Sequence, residues 1–141
     1  MHLNPYLNFN DQCEAALNFY CQILGGKLDM LMRCGESPMR NDIPEERQHQ
    51  VMHAQISVGT QIIMGADISP ECRASSGPGP IALTLNYDNT DEARHVFDAL
   101  AAGGQVQMPF APTFWAEGFG ALTDKFGISW LVNGAYLPMP G

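Results

Sequence analysis

Slid against itself by 78 positions without a gap, the sequence brings Leu7, Asn8, Glu14, Ala15, Phe19, Gly25 and Gly26 onto identical residues, Leu85, Asn86, Glu92, Ala93, Phe97, Gly103 and Gly104. The flanking pairs Leu3/Ile81, Phe9/Tyr87 and Asp11/Asn89 are alike in kind. Self-similarity of this sort means that one supersecondary unit is built twice. Any fold proposed for the chain has to accommodate two copies.

Each copy opens with a strand-like run, Leu3 to Phe9 and Ile81 to Tyr87, the latter with Leu83, Leu85 and Tyr87 on one face. A capping pattern follows in both, Asp11 with Glu14 and Asn89 with Glu92. Helices are expected next, because Cys13, Ala16, Leu17, Tyr20, Ile23 and Leu24 in one copy, and Ala93, Val96, Phe97 and Leu100 in the other, recur at three- and four-residue spacing. Each helix should stop at its Gly-Gly pair.

Three strands are expected after each helix: Lys27 to Cys34, Val51 to Val58 and Gln61 to Gly65, then Gln105 to Phe110, Phe119 to Thr123 and Ile128 to Asn133. The polar excursion Gly35 to Gln50, with Pro38, Pro44 and Glu45-Glu46-Arg47, reads as a mobile surface loop or lid. Ser69 to Pro80 is rich in Pro, Gly and Ser and reads as a connector. The pattern βαβββ twice predicts an α+β fold of mostly antiparallel, curved sheet forming a cup, and a single domain over 1–141 made of repeat 1 (1–66), a linker (67–80) and repeat 2 (81–137).

A chain of 141 residues can bury a sizeable core without disulfide or metal staples. Its net charge of -8 and lack of any Lys/Arg cluster argue against nucleic acid and against anionic membrane surfaces as partners. No apolar run is long enough for a membrane span and the N-terminus does not read as a signal peptide, so a cytoplasmic protein is expected. The four cysteines, Cys13, Cys21, Cys34 and Cys72, form no C-x-x-C pair and are read as reduced thiols. On a shared helix Cys13 and Cys21 would stand about 12 Å apart, beyond disulfide reach.

Two βαβββ modules combine here with Pro5-Tyr6-Leu7-Asn8-Phe9, with Phe19-Tyr20 before Leu24-Gly25-Gly26, with Thr113-Phe114-Trp115, and with Thr123-Asp124-Lys125-Phe126-Gly127-Ile128-Ser129-Trp130. In these segments the chain resembles the PhnB-like branch of the glyoxalase/bleomycin-resistance/dioxygenase superfamily, also called the vicinal oxygen chelate superfamily. The likeness covers nearly the whole chain. It implies a ligand held in the sheet cup and, in metal-dependent relatives, a divalent ion held there by His, Glu or Gln from four strands. It also implies a homodimer, since sheets of the superfamily commonly pair across subunits.

Carried over position by position, the resemblance puts the last acidic ligand at Leu131, a second carboxylate at Ile63 or Met64, and a His at Pro80, none of which can coordinate in that way. The fourth position falls on His2 by the internal offset, or on Asn4 or Pro5 by spacing from Phe19-Tyr20. No metal and no cofactor is therefore expected. The methyltransferase label borne by the branch would need a nucleotide-like site, and the sequence has no G-x-G-x-x-G, phosphate loop or G-x-S-x-G elbow.

His49 and His53 stand four apart, but in a strand context without an H-E-x-x-H glutamate, and are not read as a zinc pair. His53, in Met52-His53-Ala54-Gln55-Ile56, is a candidate to face the cup and orient a polar ligand. Its competing role is that of a hydrogen-bonded structural residue. Phe114 and Trp115 read as rings over an apolar or aromatic ligand, or as a cap on the sheet or a dimer contact. Tyr6, Asn8 and Gln55 are candidate polar contacts, and Asp124 to Gly127 reads as a tight turn.

The leading functional expectation is metal-independent binding of a small molecule near His53, Gln55, Tyr6, Phe114 and Trp115, as a sequestering protein or as an enzyme. The alternative is a metal-dependent lyase or dioxygenase with relocated ligands drawn from His2, His53, Asp67 or Glu117. A pure dimerisation module is the third.

Overall fold

The computed structural model describes residues 1–68 and 81–138. The expected connector, Ser69 to Pro80, together with Cys72 and Pro80, lies outside the described residues. The chain divides into two compact units, Met1–Ser75 and Ser76–Gly141. The first holds β1 (Tyr6–Phe9), α1 (Cys13–Leu24), β2 (Lys27–Arg33), β3 (Val51–Val58) and β4 (Gln61–Asp67). The second holds β5 (Leu83–Asn86), α2 (Thr90–Ala101), β6 (Gln105–Ala111), β7 (Phe119–Thr123) and β8 (Ser129–Asn133).

Each unit is one βαβββ copy, as the repeat requires. The strand orders are β1-β4-β3-β2 and β5-β8-β7-β6. Only the first and last strands of a copy run parallel, β1 with β4 and β5 with β8; the other pairs are antiparallel. A parallel pair needs a crossover connection, so the helix must travel back over the sheet, and it covers one face as it does. The linker does not begin at residue 67: Asp67 still pairs with Phe9 on β1, and the Ile68 N–H donates to the Phe9 carbonyl.

α1 lies against β2, β3 and β4, and α2 against β6, β7 and β8. Cys13, Ala16, Leu17 and Tyr20 are fully buried on α1, as are Ala54 and Ile56 on β3. In the second unit Ala93, Val96, Phe97 and Leu100 of α2 bury with Leu122, Trp130 and Val132 of the sheet. Each large apolar side chain so covered contributes about 1.5–3 kcal/mol. Gly120 leaves the room that the Phe97 ring occupies, since a methyl group there would overlap it.

The helices do not match residue for residue at the offset that aligns the sequences. Leu7 and Leu85 hold equivalent places, but counted from the first helical residues, Cys13 and Thr90, Ala16 corresponds to Ala93 and Tyr20 to Phe97, one residue out of step, and Phe19 is only half-buried. One extra residue precedes α1, and Asp11 takes it up with a positive φ of 65°. After α2 an extended Ala102 restores the count before Gly103, whereas Gly25 caps α1 directly. The two slips cancel, which is why the sequence repeat needs no gap.

The capping expectation holds for α2, where the Asn89 side chain accepts from the Glu92 N–H at 2.9 Å. It fails for α1. Gln12 is the cap residue and supplies no side-chain bond; the Cys13 N–H instead donates to Asp67 at 2.9 Å, while the other Asp67 oxygen accepts from the Val51 N–H at 3.0 Å. One carboxylate thereby ties the start of α1 to β3 and β4. The displaced Asp11 contacts His49 and Gln50 at 3.0 Å each.

Both Gly-Gly pairs divide their work in one way. The first glycine takes the left-handed conformation, φ 73° at Gly25 and 77° at Gly103. The second presses on the next strand but one: a β-carbon at Gly26 would stand 2.6 Å from the Ser57 carbonyl oxygen, and one at Gly104 would collide with that of Thr123.

The segment expected to be a mobile loop is folded on itself as three short 3-10 turns, Cys34–Glu36, Arg40–Asp42 and Glu45–Arg47. Its ends close through Cys34 N–H to the Gln50 carbonyl and Gly35 N–H to the Gln48 carbonyl, each 2.8 Å. Ser37 and Gln50 are buried, and the Gln48 side chain donates to the carbonyls of Arg40 and Ile43. These bonds satisfy the backbone that the prolines leave out of regular structure.

Gly104→Ala should lower the unfolding free energy by about 1–3 kcal/mol through overpacking, seen as a lower urea midpoint at unchanged slope. Burial first, then the nearby Asp67 and Glu14, push the Cys13 thiol from 9.0 up to about 12. The native thiol should therefore resist alkylation at neutral pH. Because the unfolded thiol ionises first, this group should erode stability as pH rises from 9.0 toward about 12, a trend checked by urea midpoints of wild type against Cys13→Ala.

Candidate functional site

With one face of each sheet under its helix, alternation sends every second strand residue to the other face. In the first unit a full row crosses that open face in register: Tyr6 on β1, Met64 on β4, Gln55 on β3 and Met30 on β2. His53 projects two residues from Gln55, next to Met32. The Tyr6 hydroxyl lies 3.1 Å from His53 Nδ1, and the two rings are 5.6 Å apart. Three of the candidates, Tyr6, His53 and Gln55, thus share one patch edged with thioethers.

Burial chiefly, and Cys13 secondarily, raise the Tyr6 phenol above its ordinary range. It stays protonated around neutrality and can donate to Nδ1, which then leaves the His53 proton on Nε2. Ser57, on the same side of β3, donates to Asp29 at 3.2 Å.

Phe114 and Trp115 belong to the second unit. Trp115 is half-buried; its indole N–H donates to Asn133 Oδ1 at 3.1 Å and its ring meets the Phe119 ring edge-on at 5.2 Å. Phe114 is 83% exposed and stands edge-on to Trp115 at 4.8 Å. Asn133 in turn donates through Nδ2 to Asn86 Oδ1 at 3.0 Å, and the Tyr136 hydroxyl donates to the same oxygen at 2.7 Å. These residues lie on the face away from α2, because Asn86, Asn133 and Phe119 are cross-strand partners in one row.

Asn86, Asn133, Tyr136 and Phe119 were not singled out from the sequence as site residues. The available signal was the repeat itself, which pairs Asn86 with Asn8. Asn133 gives none, since a polar residue at a strand end ordinarily reads as solvent-facing. Asp124 does what its turn predicts: Oδ1 accepts from the Phe126 and Ile128 N–H groups, and Oδ2 accepts from the indole of buried Trp130 at 2.8 Å.

The donor set does not suit a divalent ion. Of the residues at the ligand positions implied by the resemblance, Met64 shares the open face with Tyr6 and Gln55, Leu131 shares the second open face between Thr84 and Ala121, and Ile63 is buried on the helix side. Asp67 is engaged with two backbone amides, and Glu117 accepts from the Thr90 hydroxyl at 2.7 Å. Among the described residues no three His, Cys, Asp or Glu side chains come together in a metal-binding group. No helix there is long and apolar enough to cross a membrane.

Residues 1–133 match the model of the family described as 3-demethylubiquinone-9 3-methyltransferase. The chain is 36% identical to protein YjdN of Escherichia coli K12 over 142 residues, covering 94% of this chain and 95% of that one. Protein PA1353 of Pseudomonas aeruginosa is 41% identical and superposes with a TM-score of 0.85, over 95% and 97% of the two chains. A PhnB protein of Bacillus cereus, bearing the same methyltransferase label, is 25% identical with a TM-score of 0.79, over 96% and 100%. The fold recurs at 15% identity and a TM-score of 0.65 in a glyoxalase/bleomycin resistance protein/dioxygenase domain from Frankia sp. EAN1pec, over 99% and 98%.

Asn133→Ala should strand the Trp115 indole N–H and cost about 1–3 kcal/mol. In nitrogen-resolved NMR spectra the Trp115 indole resonance should move while that of Trp130, held by Asp124, stays in place.

Proposed function

Because the chain belongs to the PhnB-like family described as 3-demethylubiquinone-9 3-methyltransferase and has the fold of the glyoxalase/bleomycin resistance protein/dioxygenase domain, we propose that it binds a small molecule on the open sheet faces without the help of a metal ion. The observation that carries this reading is the chemistry of those faces. Amides, a phenol, one imidazole, thioethers and aromatic rings occupy them, with Leu131, and Met64 or the covered Ile63, at the positions where the resemblance implies carboxylates. Such surfaces hold an apolar body by contact and orient it through a few hydrogen bonds.

Within the first unit, His53 and Tyr6 form a coupled donor and acceptor pair, with the Gln55 amide beside them. In the second, Phe114, Trp115 and Phe119 offer ring edges and faces for an aromatic or apolar group. The imidazole gives the site a proton-transfer group should the bound molecule be turned over. The methyl transfer named in the family description calls for a nucleotide-like cofactor site that no glycine motif of this sequence supplies.

Protein purified without a polyhistidine tag should be metal-free by elemental analysis, and by native mass spectrometry should be a homodimer retaining a small molecule. Zn, Ni, Mn and Fe should leave thermal stability unchanged. A near-equimolar ion, or stabilisation approaching the about 2.7 kcal/mol expected at 100-fold excess over a dissociation constant, would favour relocated metal ligands and overturn the reading. Trp115→Ala should lower ligand retention; a change of oligomeric state at full retention would make Trp115 a dimer contact.

A further inference from the structure

The amide network of the second unit has a direction set by chemistry. An indole N–H can only donate, so the atom of Asn133 facing Trp115 must be its oxygen, Oδ1. The Asn133 amino group is then turned to Asn86, which must answer with its own oxygen, and the Tyr136 hydroxyl donates to that same oxygen. Two donors converging on Oδ1 leave Asn86 one orientation. Its amino group is left out of the network, on a residue that is itself exposed while its cross-strand neighbour Asn133 is buried.

Two registers of the sheet define which residues neighbour Asn86 on this face. Asn86, Asn133 and Phe119 form one row; Thr84, Leu131, Ala121 and Met108 form the next. The second row is apolar apart from the Thr84 hydroxyl at its edge; within it Leu131 is half-buried and Ala121 is buried. Trp115 and Phe119 stand at the far end of the first row, edge-on to each other.

We infer that Asn86 is the polar anchor of a subsite for an aryl carbonyl compound, a ring lying against Leu131 with its acceptor oxygen on the Asn86 amino group. This names a ligand class for the small-molecule binding proposed above and rests on that reading. Bonds accepted at Oδ1 polarise the amide and strengthen its N–H groups as donors. A carbonyl or carboxylate oxygen is the partner that pre-oriented donors of this kind select, because a ligand without one leaves them unpaired on binding.

Benzoate and acetophenone, titrated into isotope-labelled protein, provide the test, and the pair separates an anionic from a neutral acceptor. Binding should shift the Asn86 side-chain amide protons downfield. Asn86→Asp keeps the oxygen that Asn133 and Tyr136 use and removes the donor; it should weaken benzoate about tenfold or more. Tyr136→Phe leaves the Asn133 bond and should weaken both probes by a few-fold, a second arm should Asn86→Asp fold poorly. Binding that leaves the Asn86 amide unmoved overturns the subsite while sparing small-molecule binding. Failure of both probes to bind at about 10 mM also overturns it, and the molecule retained in native mass spectrometry then judges the broader reading by itself.

Discussion

Each sheet has two faces and a single helix. A helix of twelve residues is about 18 Å long, enough to cover one side of four short strands. The parallel first and last strands of a copy oblige it to lie there. Everything proposed about function follows from what this leaves over. Side chains on the covered side are selected for volume, as Tyr20, Leu17, Phe97 and Trp130 are. Those on the other side are free of that demand, and there the two copies have diverged, one into a phenol and imidazole pair with methionines, the other into an amide chain with aromatic rings.

Divergence is also visible in how the two units secure their ends. The first uses Asp67, at the end of a strand, to accept from the first amide of its helix and from the first amide of β3. The second caps its helix locally with Asn89 and spends its buried carboxylate, Asp124, on a turn and on the Trp130 indole. A carboxylate facing several N–H groups is a strong acceptor wherever it stands. The same need is met from different places in the chain.

That difference marks the limit of what could be read from the residues alone. Strands β3 and β7 were legible to the residue, because their alternation and their flanking glycines and prolines act locally. The helices were legible for the same reason. The cap on α1 was not, since Asp67 comes 54 residues after the N–H it accepts from. Nor was the folded form of Gly35 to Gln50, whose order comes from side chains reaching back onto carbonyls. At the candidate site, His53, Gln55 and Tyr6 could be placed by strand parity, but the Asn133–Asn86–Tyr136 relay joins residues up to 50 apart whose meeting depends on strand order. Sequence parity says which face a residue takes and nothing about its neighbours there.

The compensating one-residue slips around α1 and α2 bear on the ancestry of the chain. A duplicated segment can drift in local register as long as each insertion is repaid before the next strand begins, and its two halves will still align without a gap. Helical positions compared at that alignment are then turned by about 100° from their structural counterparts. Transplanting one helix into the other half by matching letters would carry Asn18 to the place of buried Val96 and leave Tyr20 at the place of exposed Asp98. The halves remain recognisable as copies and have ceased to be interchangeable.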